Sequence, residues 1–177
     1  LIRLHKQENL SFKNVVTFNL DEYFPMTPDN IQSYHYFMHE YLFKHIDINP
    51  EHINIPKGNV SLEESLQMCS DYEEKIKNLG GIGFQLLGIG RTAHIGFNEP
   101  GSHQNSTTRM VTLDHLTRSD AASSFLGMEN VPKKAITMGV STILRSKRIV
   151  LMAWGQNKAS IIKRTIQGEI SSEVPAT

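Results

Sequence analysis

Apolar residues along this chain fall into short continuous runs that alternate with stretches of three- and four-residue periodicity. The run Ile82–Ile89 predicts a buried strand ending in glycines. Similar runs predict strands over Asn14–Leu20, Ala135–Met138 and Arg148–Trp154, with a shorter one over Met110–Leu113. Between them, Tyr34, Phe37, Met38, Tyr41, Leu42 and His45 mark an aromatic stripe on a predicted helix over Ile31–Ile46. Ser61 and Glu64 form a capping-box signature for a helix that runs to Leu79 and stops at Gly80-Gly81. Its predicted inner face is Leu62, Leu66, Cys69, Tyr72 and Ile76. Helices are also expected over Thr117–Leu126, Val140–Leu144 and Asn157–Gln167. Residues 1–13 are mixed and polar, with no start signal, and two prolines break the segment Phe24–Asn30 into a loop. Strands alternating with helices predict a parallel α/β sheet within one domain spanning 1–177.

Several predicted strands end in chemistry. Asn14–Leu20 runs into Asp21-Glu22-Tyr23, and the strand ending at Ile89 runs through Gly88 and Gly90 into His94 and Glu99. In open α/β sheets, ligands bind at the carboxyl ends of strands. Acid and base groups at two such ends therefore mark a candidate site.

Composition narrows the partner. The chain carries 18 basic and 18 acidic residues, so its formal charge is zero. That balance argues against nucleic acid or a membrane surface as the partner. No run approaches the length of a membrane span, and no signal peptide is evident. The single cysteine, Cys69, rules out an internal disulfide and fits a reducing cytoplasm. No Cys/His spacing resembles a zinc site, so no metal is expected.

The segments Thr17-Phe18-Asn19-Leu20-Asp21-Glu22-Tyr23 and Gly88-x-Gly90-x-x-x-His94-Ile95-Gly96-Phe97-Asn98-Glu99-Pro100 resemble glucosamine-6-phosphate deaminases. Val131–Val140 and Gly155-x-x-Lys158-Ala159 resemble the same family, in the same order. The resemblance implies an α/β, Rossmann-like, mostly parallel sheet with helices on both faces. It implies conversion of glucosamine 6-phosphate and water to fructose 6-phosphate and ammonia, with no organic cofactor. His94 would shuttle the proton that opens the sugar ring, since imidazole titrates near neutral pH. Glu99 would orient and stabilise that imidazole. Asp21 would carry the proton from C2 towards C1. Lys158 would contact the substrate phosphate, and Gly88 and Gly90 would let the sugar approach the backbone. Homo-oligomers occur in the family, and nothing in this sequence specifies the assembly.

Three departures from the family pattern stand out. The family commonly has Asp or Asn where this chain has Thr92, and a phosphate-binding arginine where it has Ser123. The family's first strand and its Gly-rich phosphate loop have no counterpart here, the first glycine being Gly58. The expectation is therefore a truncated copy of the family fold that lacks an N-terminal portion and a C-terminal stretch. Arg109 matches an allosteric position of some members, but its neighbours match only in part. Two other readings stay open: another sugar-phosphate enzyme on this fold, such as a lactonase or a pure aldose–ketose isomerase, and a non-catalytic sugar-phosphate sensor.

Overall fold

A computed structural model describes residues 1–177, in which seven strands alternate with six α-helices. The elements are α1 (Ile2–Glu8), β1 (Thr17–Phe18), β2 (Asp21–Phe24), α2 (Tyr34–Tyr41), β3 (Ile53–Asn54) and α3 (Leu62–Asn78). They continue with β4 (Gln85–Leu87), β5 (Arg109–Thr112), α4 (His115–Ala121), β6 (Lys134–Thr137), α5 (Val140–Leu144), β7 (Ile149–Leu151) and α6 (Ala159–Gln167).

The expected parallel pairing is present in two ladders, β1 with β3 and β4 with β7. Helical crossovers connect both pairs, as parallel strands require. The third ladder is antiparallel, in the order β2-β6-β5, with Asp21 opposite Thr137 and Arg109 opposite Thr137 on the other side. The segment Asp21-Glu22-Tyr23, expected just beyond a strand end, is itself the start of β2. The chain leaves the parallel direction at Asn19-Leu20 and pairs with β6 instead, and the Met138 amide donates to the Leu20 carbonyl at 2.7 Å.

Helix α3 forms as its capping signature predicts. The Ser61 amide donates to Glu64 Oε2 at 2.8 Å and the Glu64 amide donates to Ser61 Oγ at 3.2 Å. Gly80 and Gly81, both at φ +83°, end it in a conformation that L side chains resist. Its buried ridge is Ser65, Cys69, Tyr72 and Ile76, spaced at four, three and four. Leu62 and Leu66, expected on that face, lie off the ridge and are exposed. The Tyr72 hydroxyl donates to the carbonyls of Asn19 and Asn54, which ties α3 to the ends of β1 and β3.

Helix α2 is shorter than its aromatic stripe predicts. Leu42 at φ −139° interrupts it, and Phe43–His45 continues as a 3-10 turn. Its start is held twice, by Ser33 Oγ accepting from the Tyr36 amide and by the buried Glu22 carboxylate accepting from the amides of Tyr34 and His35. Residues 1–13 hold the short helix α1, which no start signal announced.

Three small apolar clusters make the core. One gathers Tyr23, Met26, Phe97, Leu113, Val131 and Ala135, and a second gathers Tyr72, Ile76, Leu87, Ile95, Met138 and Ile143. The third gathers Ile89, Ala93, Ile161 and Val174. No helix is long and apolar enough to cross a membrane.

Candidate active site

The segment after β4 enters every core cluster: Ile89 and Ala93 join the third, Ile95 the second and Phe97 the first. Alternate residues face inward, so this loop is pinned at three points along its length. Between them, His94 lies against Gly90 and lines a cavity, while Gly96 faces Asp21 and Thr137. A polar loop could not be fixed so firmly, and this explains why an apolar alternation follows the strand.

Further bonds complete the clamp. The Phe97 amide donates to Thr137 Oγ1 at 3.1 Å. The buried Asn98 side chain donates to the carbonyls of Ile95 and Met138 and accepts from Arg109 Nη1 at 2.9 Å. At the start of the loop, the Ala93 amide donates to the Gly90 carbonyl at 3.1 Å and closes a tight turn with Ala93 at φ +63°.

His94 sits flat against Gly90. A Cβ on that glycine would lie 2.0 to 2.4 Å from the ring atoms, so only glycine admits the imidazole here. Nδ1 of His94 is 2.9 Å from Thr92 Oγ1, 3.3 Å from Glu99 Oε2 and 3.4 Å from Thr117 Oγ1. Thr92 Oγ1 also donates to Glu99 Oε2 at 3.2 Å, and the Asp114 amide donates to Glu99 Oε1 at 3.3 Å. Burial works against the Glu99 charge, but contacts with His94 and Thr117, the His94 charge and the Asp114 amide outweigh it. The carboxyl therefore lies below its ordinary range.

Asp21 reaches the same loop from β2. A Cβ built on Gly96 would lie 3.2 Å from Asp21 Oδ2 and 2.9 Å from Thr137 Oγ1. Burial, then the neighbouring Glu22 charge, pushes the Asp21 carboxyl up to about 7. The loop thus carries His94 and Glu99, paired at 3.3 Å, while Asp21, more than seventy residues earlier, lies beside its Gly96.

Lys158 closes the 3-10 turn Gln156–Lys158 that leads into α6. Its Nζ donates to the Ile89 carbonyl at 2.8 Å, two residues past the end of β4. An ammonium has three donors, so two remain for another acceptor. Lys158, Gly90 and His94 line one cavity of about 430 Å³, walled by Tyr23, Tyr34, Phe97 and Phe125. That volume lies within the range of small-molecule sites. Asp21 and Glu99 do not line this cavity; Glu99 lines a separate one of about 510 Å³ with Ser102, His103 and Arg109. Gly88, expected near the ligand, has nothing within 4 Å of where its Cβ would be. Ser123 is exposed and lies outside the lining.

The sequence singled out Thr92 only as a departure from the family pattern; it gave no sign of its contact with His94, of the Thr117 hydroxyl, of the Asp114 amide or of the aromatic wall. One signal was available for α4: Asp114 precedes it as an N-cap and accepts from the Leu116 amide at 2.7 Å, which places Thr117 inside the helix facing His94.

The family model described as glucosamine-6-phosphate isomerases/6-phosphogluconolactonase matches residues 1–177. Glucosamine-6-phosphate deaminase 1 of Bacillus subtilis and a glucosamine-6-phosphate deaminase of a Thermoanaerobacter species are each 48% identical over the whole chain, which spans 72% and 69% of their lengths. A glucosamine-6-phosphate deaminase-like protein of Bacteroides thetaiotaomicron is also 48% identical, and the chain spans 27% of its length. The solved structure of a monomeric glucosamine-6-phosphate deaminase superposes with a TM-score of 0.95 at 48% identity, over 99% of this chain and 72% of that one. A 6-phosphogluconolactonase from Thermotoga maritima shares the fold at a TM-score of 0.72 and 17% identity, over 99% of this chain and 72% of that one.

Proposed function

Because the chain belongs to the glucosamine-6-phosphate isomerase/6-phosphogluconolactonase family, we propose that it converts glucosamine 6-phosphate and water to fructose 6-phosphate and ammonia. The observation that carries this reading is the meeting of Asp21 with the loop bearing His94 and Glu99, beside a cavity that holds Lys158. A lactone hydrolysis needs one proton shuttle. An isomerisation followed by loss of an amine needs two acid–base groups, and two are present.

His94 takes the C1 hydroxyl proton and returns a proton to the ring oxygen, which opens the sugar. Glu99 stabilises the imidazolium that forms in passing. Asp21, whose carboxyl lies beside Gly96 of the His94 loop and outside the cavity lining, then removes the C2 proton and delivers one to C1, a step that requires its carboxyl to reach the cavity when the sugar binds. A carboxyl pushed up to about 7 exchanges protons readily at neutral pH. The imine left at C2 adds water and releases ammonia, which balances the reaction without an oxidant. The free donors of Lys158 hold the phosphate dianion. A substrate this charged does not leave cells unaided, so the reading places the enzyme in the cytoplasm.

The test is direct. Purified intact protein given glucosamine 6-phosphate is expected to release ammonia and fructose 6-phosphate in equal amounts. Hydrolysis of 6-phosphogluconolactone, with no ammonia released from glucosamine 6-phosphate, would overturn the reading in favour of the lactonase branch. Binding without turnover would leave a sensor.

A further inference from the structure

We propose that Glu22 is a positioning residue for the reaction: its buried carboxylate pins the backbone of both wall tyrosines, Tyr23 and Tyr34, and stands beside Asp21 as a fixed negative charge. Glu22 is 2% exposed. Its Oε1 accepts from the Tyr23 amide at 2.9 Å and from the Tyr34 amide at 3.0 Å, and its Oε2 accepts from the His35 amide at 2.9 Å. One side chain thus joins β2 to the first turn of α2. The two tyrosine rings that it ties together are stacked, with centroids 5.4 Å apart and 22° between their planes. Both line the cavity that holds His94 and Lys158.

Strand alternation separates the two acids. Asp21 and Tyr23 fall on one face of β2 and Glu22 on the other. There Glu22 lines a second cavity, of about 710 Å³, with His35, His39 and Lys57. It therefore does not touch a sugar in the first cavity and acts only through its neighbours. Burial works against the Glu22 charge, while the three amides and His35 work for it. Three N–H donors on two oxygens suit the ionised form, which only accepts. A like charge alongside makes a carboxylate hold its proton more tightly, and Glu22 acts on Asp21 in that sense, second to burial. Tyr23, Tyr34 and Tyr72 share the field of Asp21 and keep their protons well past neutral pH. Behind Glu22, Lys57 is exposed and Glu64 is tied to the Ser61 amide. The kinetic arm of the test rests on the deaminase reading, and the spectroscopic arm does not.

Two substitutions in the intact protein separate the parts, with His94 and Glu99, on the loop beside Asp21, the same in each. Glu22→Gln keeps the length and removes the charge. Glu22→Asp keeps the charge and is too short to reach the α2 amides. Carboxyl-carbon NMR should show Asp21 ionising at lower pH in Glu22→Gln than in the unmodified protein. The acid limb of the kcat profile for ammonia release should move the same way, whereas a purely structural part would lower kcat and leave the limb in place. Glu22→Asp should keep the limb and raise KM about 10-fold as the tyrosine wall loosens. Hydrogen exchange at the Tyr34 and His35 amides should quicken about 10–100-fold in that variant. His35→Asn leaves the Glu22 carboxylate in place and should keep the limb. If it moves the limb as far as Glu22→Gln does, the effect belongs to His35 and the proposal is overturned. An Asp21 titration unmoved in Glu22→Gln, or exchange and KM unchanged in Glu22→Asp, overturns it equally. If Glu22→Gln does not fold, Glu22→Asp decides alone on those two readouts. An unmodified protein that releases no ammonia would sink the proposed function, and the NMR titration and exchange rates would still decide the role of Glu22.

Discussion

Asp21 and Gly96 are in contact. A Cβ on residue 96 would stand 3.2 Å from Asp21 Oδ2 and 2.9 Å from Thr137 Oγ1, tight enough that both would have to shift. Gly96 also holds φ +56°, where an L side chain costs about 1–2 kcal/mol. The glycine therefore does two things: it lets the loop turn between His94 and the buried Phe97, and it leaves room for the aspartate. Gly96→Ala is expected to destabilise the protein by about 1–3 kcal/mol in denaturant titration. Turnover should fall about 10–100-fold from the displaced carboxylate. A variant that loses stability but keeps full turnover would show that Asp21 need not lie against this loop.

Asp21 also predicts how stability depends on pH. An unfolded aspartate ionises near 3.8, whereas folded Asp21 keeps its proton until about 7. Between these values the native state binds the extra proton, so the Asp21 contribution to stability declines as pH rises through that window. Asp21→Asn has no charge to bury. Its Tm should match the unmodified protein near pH 4 and exceed it at pH 8, while turnover drops by about 10²–10⁴-fold. Melting curves across that range check the sign, and a Tm advantage that shrinks with rising pH would contradict it.

A different carboxylate holds the scaffold. Glu73 of α3 accepts from the Thr108 amide at 2.8 Å, from Thr108 Oγ1 at 2.6 Å and from Arg145 Nη2 at 2.8 Å. It accepts from Thr142 Oγ1 as well. Helix α3, the approach to β5 and helix α5 are thus joined at one side chain, away from the cavity. Glu73→Ala leaves buried hydroxyls and an amide without their acceptor, and should cost about 2–4 kcal/mol by chemical denaturation. KM and kcat at a temperature well below the melt should stay within about twofold.

How far these relationships could be read in advance depends on whether their cause is local. The capping box of Ser61 and Glu64 and the glycines at 80 and 81 act within a few residues, so helix α3 was legible to its ends. The strand cores of β4, β6 and β7 were legible as apolar runs, but only β6 is buried along most of its length; Leu86 of β4 and Ile149 and Val150 of β7 are exposed, against the buried strand expected over Ile82–Ile89. Strand β2 was not, since Asp21-Glu22-Tyr23 is polar at its start and gains strand form only by pairing with β6, more than a hundred residues on. The motif residues of the site were legible, but their connections were not. That Thr92 stands between His94 and Glu99 is a matter of how one loop folds back on itself, and Thr117 arrives from a separate helix. The exposure of Leu62 and Leu66 was likewise hidden, because periodicity identifies a stripe but not which edge of it is covered.

Lys158 offers the clearest separation of binding from chemistry. Its Nζ rests on the Ile89 carbonyl, within the cavity that also holds His94, and it is the only basic side chain of the lining other than that histidine. Asp120, on the same wall, is already matched by Arg91, whose Nε donates to Oδ2 at 2.9 Å. The lysine charge is therefore not cancelled locally and remains for an anion. A charge-assisted bond to a phosphate contributes about 1.5–3 kcal/mol. Lys158→Met keeps the aliphatic stem and removes only the ammonium, so KM for glucosamine 6-phosphate should rise about 10–100-fold. Because a phosphate far from the reacting carbons is held equally in ground and transition states, kcat should change little. Glucosamine without its phosphate should show the reverse: a poor substrate for the unmodified protein, and no worse for the variant. A variant in which kcat falls and KM stays constant would move Lys158 from the phosphate to the reacting end of the sugar.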